Sequence, residues 1–146
     1  MTLDLEFSRL IDAAPEEVFD AFTDPEGQEA FYGQDDPGWI VRSQCELRVG
    51  GVWTVDFGPS PSELYRHHHV FEVIERPHRL LLASTETRLD GSTLHTRLEF
   101  TFEARGAKTL MTMSHRGFPT VELRDEHERG LPNAFARLER LIRLRG

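Results

Sequence analysis

The sequence has 146 residues, a single cysteine and a formal net charge of −8, with 17 basic side chains against 25 acidic ones. That length is one ordinary domain, 1–146, able to bury a core without disulfides or a structural metal, and Cys45 alone cannot staple the fold. The acidic balance argues against nucleic acid and anionic membrane surfaces as partners, and Asp4 and Glu6 near the start, with no apolar run of membrane length, predict a soluble cytoplasmic protein.

In chain order, Leu3, Leu5 and Phe7 alternate with Asp4, Glu6 and Ser8, the period of a strand with one wet face, which ends near Ile11. Pro15, Glu16 and Glu17 then precede Val18, Phe19 and Phe22 at helical spacing, predicting a short helix to Thr23. A second short helix starts at Pro25 and runs toward Gly33, followed by the loop Asp35-Asp36-Pro37-Gly38. Trp39 to Leu47 reads as a strand, and Val49-Gly50-Gly51 turns it into Val52 to Phe57. Gly58-Pro59-Ser60-Pro61-Ser62 reads as a flexible loop before a long strand from Tyr65 to Ile74. Meander strands follow at Leu80 to Thr87, Leu94 to Glu103 and Thr109 to His115, separated by Asp90-Gly91 and Arg105-Gly106 turns.

From about Glu122 to Arg145 the period changes. Leu131, Ala134, Phe135, Leu138, Leu141 and Ile142 recur at spacings of three and four, with Arg129, Arg137, Glu139, Arg140 and Arg143 on the other side. This is an amphipathic helix of roughly 35 Å at about 1.5 Å per residue, and its apolar stripe needs a partner surface of similar length. The face carrying Leu94, Leu98, Phe100 and Phe102 is that partner, the arginines read as a solvated helix face, and Pro132 is expected to kink or interrupt the helix unless it sits in a first turn.

Four stretches in this order carry a family resemblance: Ile11-Asp12-Ala13-Ala14-Pro15-Glu16-Glu17-Val18-Phe19 with Ala21-Phe22-Thr23-Asp24-Pro25; Leu47-Arg48-Val49-Gly50-Gly51; Glu75-Arg76-Pro77-His78-Arg79-Leu80; and Gly130 with Ala134-Phe135 and Leu138. Across nearly its whole length the sequence resembles the activator of heat-shock protein 90 ATPase homologue-like family, within the superfamily of START, polyketide-cyclase and birch-pollen-allergen-like domains. The resemblance implies an α+β helix-grip fold: a curved antiparallel sheet of about seven strands wrapped around a long C-terminal helix, with two short helices after the first strand and an apolar cavity between. Leu131 and Pro132 follow Gly130 where the family usually has tryptophan, which alters the cavity entrance.

The candidate cavity-lining residues are Trp53, Phe57, Tyr65, His67, His69, Phe71, Phe100, Met113, His115, Leu131 and Phe135. Strand alternation puts His67 and His69 on one face with Tyr65, Phe71 and Val73, and puts His115 inward with Met111 and Met113; Asp56, Glu86 and Arg97 lie around them. The competing reading keeps these histidines at the surface or hydrogen-bonded within the protein, because an imidazole buried without a partner costs about 1–3 kcal/mol per unsatisfied group. His67, His69 and His115 could supply metal ligands, but no Cys/His pair has zinc-site spacing, so neither metal nor cofactor is expected. No Gly-x-Ser-x-Gly elbow occurs, and Gly50-Gly51 lacks the lysine and following helix of a phosphate loop.

Three function classes remain. Binding of a small, largely apolar or aromatic molecule leads, as a carrier or sensor; a cyclase or dehydratase would need an acid/base team of His67, His69 and Tyr65. A co-chaperone module rests on the resemblance alone, and a second copy of the chain is an admissible partner.

Overall fold

The computed structural model describes residues 3–146. Its elements are β1 (Leu3–Ile11), α1 (Pro15–Phe22), α2 (Pro25–Tyr32), β2 (Ile40–Cys45), β3 (Val52–Ser60), β4 (Glu63–Glu75), β5 (Arg79–Thr87), β6 (Thr93–Arg105), β7 (Lys108–Phe118), α3 (Val121–Arg129) and α4 (Leu131–Arg145). The seven strands form one curved antiparallel sheet in the order β1-β7-β6-β5-β4-β3-β2. After the first pairing every neighbour is the next strand in sequence, so the tight turns suffice to set the topology. No helix among the described residues is long and apolar enough to cross a membrane.

Local chemistry sets the two short helices. Pro15 and Pro25 occupy first-turn positions, where a missing N–H costs nothing, and the Asp24 carboxylate accepts from the Glu26 amide at 2.7 Å to cap α2. α1 sends Val18, Phe19, Ala21 and Phe22 into the core. Phe19 meets Phe102 and Phe22 meets Phe100, with ring centroids 5.3 Å and 4.6 Å apart. α2 crosses α1 so closely that a Cβ on Gly27 would lie 1.7 Å from the Ala21 carbonyl oxygen.

Two strand features differ from simple alternation. A bulge between Phe71 and Val73 shifts the register of β4, so Ile74 rather than Val73 faces inward, opposite the buried Leu80. The expected flexible loop at 58–62 is instead a tight hairpin in which β3 continues to Ser60 and pairs with Glu63. Gly58 permits this approach, since a Cβ there would lie 1.9 Å from the Glu63 carbonyl oxygen.

The C-terminal helix is bent and interrupted. α3 ends at Arg129, Gly130 forms the junction, and Pro132 lies in the first turn of α4, where its ring is tolerated. Leu131, Ala134, Phe135, Leu138 and Ile142 are buried, while Leu141 is only half-buried. The stripe does not lie directly on β6 as the pattern suggested. α4 packs on α2, α1 and β1, with Phe135 4.9 Å from Phe7 and 5.3 Å from Phe31 between ring centroids, because α1 already covers Phe100 and Phe102. Nor is the charged side simply solvated: Arg137 donates to the Ala30 and Phe31 carbonyls at 2.9 Å and 3.1 Å, satisfying the C-terminal end of α2.

Gly27 gives a test in which two effects have opposite signs. Alanine is the better helix former by about 1 kcal/mol, but the added methyl must displace backbone. Gly27→Ala should therefore lower the thermal midpoint, with about 1–3 kcal/mol or more of stability lost by chemical denaturation; an unchanged or raised midpoint would show that α1 and α2 are not so closely apposed.

Candidate functional site

A cavity of about 300 Å³ lies between α2, α3, α4 and the concave face of the sheet. Its apolar lining residues include Leu5, Phe31, Phe57, Leu98, Phe100, Met113, Leu131 and Ala134. Its polar lining residues include Tyr32, Tyr65, His67, Glu86, Arg88, His115, Glu126, His127 and Arg137.

Glu86 is the centre of a hydrogen-bonded cluster within this lining. It follows Leu80, Leu82 and Ser84 on the inward face of β5, opposite His67 on β4, and is only 6% exposed. Its Oε1 accepts from His67 Nε2 and, at 3.0 Å, from His127 Nε2 on α3. Its Oε2 accepts from Arg88 Nη1 at 2.5 Å, and Arg88 Nη2 reaches Glu126 on α3 at 2.8 Å. The outer nitrogens of both imidazoles are also held. His67 Nδ1 lies 2.7 Å from the Tyr32 hydroxyl, which is 3.1 Å from His69 Nε2, while His127 Nδ1 donates to the Leu123 carbonyl at 2.7 Å.

Proton positions follow from what each partner can do. The Leu123 carbonyl only accepts, and so does the Glu86 carboxylate; His127 bonds to both only with a proton on each nitrogen. Burial pushes the His127 pKa down, but the hydrogen bond and charge of Glu86 outweigh it and the net shift is upward. Burial likewise pushes Glu86 up, and the hydrogen bonds and charges of His127 and His67 more than reverse this, holding it well below the usual carboxylate range. Tyr32 is driven well above the ordinary phenol value by burial and then by Glu86, so it stays a neutral hydroxyl.

Two other histidines are kept neutral. Burial pushes His115 down to about 3, assisted by the neighbouring imidazoles of His127 and His67; its Nε2 meets Thr96 Oγ1 at 2.7 Å and its Nδ1 has no partner among the described residues. His69 is fully buried, lies well below 6.5 for the same primary reason, and its Nδ1 also lacks a partner among the described residues.

Of the residues selected by sequence pattern, Phe57, Tyr65, His67, Phe100, Met113, His115 and Leu131 line the cavity. Trp53, His69, Phe71 and Phe135 do not; they lie in the core behind its wall. Trp53, His69 and Phe71 do face inward, but Phe22 and Tyr32 cover that end of the sheet, with Phe22 5.5 Å and Tyr32 6.0 Å from Trp53 between ring centroids. Tyr32, Arg88, Glu126, His127 and Arg137 were absent from the pattern-based set, and Glu86 was noted only as a neighbour. The signal for His127 was present: Leu123, His127 and Leu131 are spaced by four and continue the α4 stripe across Gly130.

Residues 12–143 match the family described as Activator of Hsp90 ATPase homolog 1-like protein. The chain belongs to that family. No curated protein matches it. An uncharacterised protein from Rhizobium leguminosarum superposes with a TM-score of 0.83 at 16% identity, covering 98% of this chain and 95% of the other. A protein from Chromobacterium violaceum gives 0.81 at 17% identity over 95% and 96%, and one from Arthrobacter aurescens 0.77 at 22% over 96% and 86%. At these identities the likeness establishes the fold this Activator of Hsp90 ATPase homolog 1-like chain shares with them, and the chemistry must be read from its own cavity.

His115 yields a pH test whose sign is fixed. Its folded pKa lies below the unfolded 6.5, so its stabilising contribution is complete above 6.5 and is lost as the pH falls toward about 3. Between pH 7 and 5.5 this amounts to about 1.3 kcal/mol. Denaturant unfolding of wild type and His115→Gln at both pH values should show the gap moving by that amount in the variant's favour; a gap independent of pH would place His115 in solvent.

Proposed function

We propose that the protein binds a small, largely apolar or aromatic molecule in the cavity between the sheet and the C-terminal helices, with the molecule's one hydrogen-bonding group beside Glu86, His67, His127 and Arg88. The observation that carries this reading is a mixed lining, in which apolar side chains such as Leu98, Phe100, Met113 and Leu131 share one cavity with a hydrogen-bonded polar cluster around Glu86. A cavity of about 300 Å³ lies at the small end of the usual range for ligand pockets, which favours a compact molecule. The ligand-contacting residues in this reading are Phe57, Tyr65, His67, Phe100, Met113, His115 and Leu131, joined by Glu86, Arg88 and His127. The role is that of a cytoplasmic carrier or sensor. A homodimer is compatible with it, and a heat-shock protein partner rests on the family name alone.

One observation favours a second reading, a cyclase or dehydratase acting in the same cavity. His67 and His127 both face the cavity and hydrogen-bond to one carboxylate, an arrangement able to take up and return a proton. His69 is not part of that team, because Tyr32 and the wall separate it from the cavity.

Native mass spectrometry of the purified protein should show a small molecule retained by wild type. Leu131→Trp, which restores the bulk usual in the family, should lower affinity for anilinonaphthalene sulfonate by about tenfold or more, equivalent to about 1.4 kcal/mol, with the fold kept. Equal affinity in the variant would place binding outside this cavity, and release of a chemically altered molecule would favour the enzyme.

A further inference from the structure

Three potential metal-ligand atoms, contributed by three separate elements, meet in the cavity wall. His67 on β4, Glu86 on β5 and His127 on α3 each offer one ligand atom, and these lie within 4.8 Å of one another. Two donors bound at about 2.1 Å to a tetrahedral ion stand roughly 3.4 Å apart, so the observed cluster needs only small side-chain adjustments to close on an ion. We propose that His67, Glu86 and His127 form a binding site for one divalent first-row transition-metal ion, a function beyond the binding of an apolar molecule.

The surrounding hydrogen bonds are those such a site requires. A ligating histidine has its other ring nitrogen held, and a ligating carboxylate has its second oxygen bonded. Here His127 Nδ1 donates to the Leu123 carbonyl, His67 Nδ1 faces the Tyr32 hydroxyl, and Glu86 Oε2 accepts from Arg88. On metal binding the second proton of His127 leaves its Nε2 to solvent, and the Nε2 of His67 must likewise be bare, since only an unprotonated nitrogen can ligate. His67 then carries its proton on Nδ1 and donates it to Tyr32, whose hydroxyl turns to donate to His69 Nε2. Every bond along that chain keeps one donor and one acceptor.

Charge and ligand type narrow the ion. Arg88 beside Glu86 would repel a cation, but Arg88 is also paired with Glu126, so two carboxylates face one guanidinium. With neutral imidazoles the site is net anionic. Two nitrogens and one oxygen suit zinc, iron, cobalt or nickel; magnesium and calcium favour all-oxygen shells, and no thiolate is present to favour copper(I). Three protein ligands leave at least one coordination position for water or for a donor atom of a molecule in the cavity.

The test uses the full chain, stripped with a chelator that is then removed, at pH 7.5. Zinc titrated by calorimetry should bind at one ion per chain and raise the thermal midpoint, and cobalt(II) should give visible absorption bands. Glu86→Gln and His127→Gln should each weaken zinc binding by about 100-fold or more, and Tyr32→Phe by about ten- to a hundredfold. His68→Gln, altering the exposed histidine next along β4, should bind as wild type does. The Thr120 cap and the Glu126–Arg88 pair still hold the short helix α3 when residue 127 is changed, and the sheet does not depend on it, so His127→Gln should keep its overall circular-dichroism spectrum. Absence of one-to-one uptake by wild type, or affinity and midpoint shift undiminished in folded His127→Gln, would overturn the proposal.

Discussion

A buried carboxylate holds α3 in place. None of the nine residues of α3 is fully buried; Leu123 is its one hydrophobic side chain packed, in part, against the core among the described residues, and the His127 ring centroid lies 5.0 Å from that of Phe118. Hydrophobic burial, which fixes most helices in proteins, is therefore weak here. What remains is the Thr120 cap, accepting from the Leu123 amide at 3.2 Å, and the paired contacts of His127 with Glu86 and of Glu126 with Arg88. The dependence is mutual. A carboxylate as buried as Glu86 costs several kcal/mol unless it is paired, and one of its partners lies on α3. The sheet thus keeps its charge satisfied by holding the helix that completes the cavity wall.

The apolar lining of the cavity has a different origin. α1 and α2 fill one end of the curved sheet with Phe22, Phe31 and Tyr32, which close over Trp53 and Phe100. That close approach depends on Gly27, and Arg137 ties the end of α2 back to α4 through two carbonyls. The space left lies toward Leu98, Met113 and Leu131. Two devices therefore bound the cavity, ion pairing at α3 and aromatic packing at α1 and α2.

Much of this was legible in the sequence because period and turn chemistry are local. Alternation found the strands and placed His67, Phe100, Met113 and His115 on the face that lines the cavity. It failed where the backbone departs from its period: the bulge after Phe71 exchanges Val73 for Ile74. It also could not distinguish an inward residue at the cavity from an inward residue beneath a helix, so Trp53, His69 and Phe71 were grouped with His67 although Phe22 of α1 and Tyr32 of α2 cover that end of the sheet. Arg137 and His127 were missed for a related reason. Charged helix residues read as solvated unless the carbonyls or carboxylate they meet, far away in sequence, are known.

Amide hydrogen exchange in α3, compared between wild type and Glu86→Gln, tests the dependence of this helix on the buried carboxylate most directly. The glutamine keeps the shape of the side chain and removes its charge. Exchange of the amides from Asp125 to Arg129 should quicken by about tenfold or more, a loss of about 1.4 kcal/mol in local stability, while the amides of β6 and β7 hold their protection. Unchanged protection of α3 in the variant would contradict the account and show that packing, rather than Glu86, fixes the helix over the cavity.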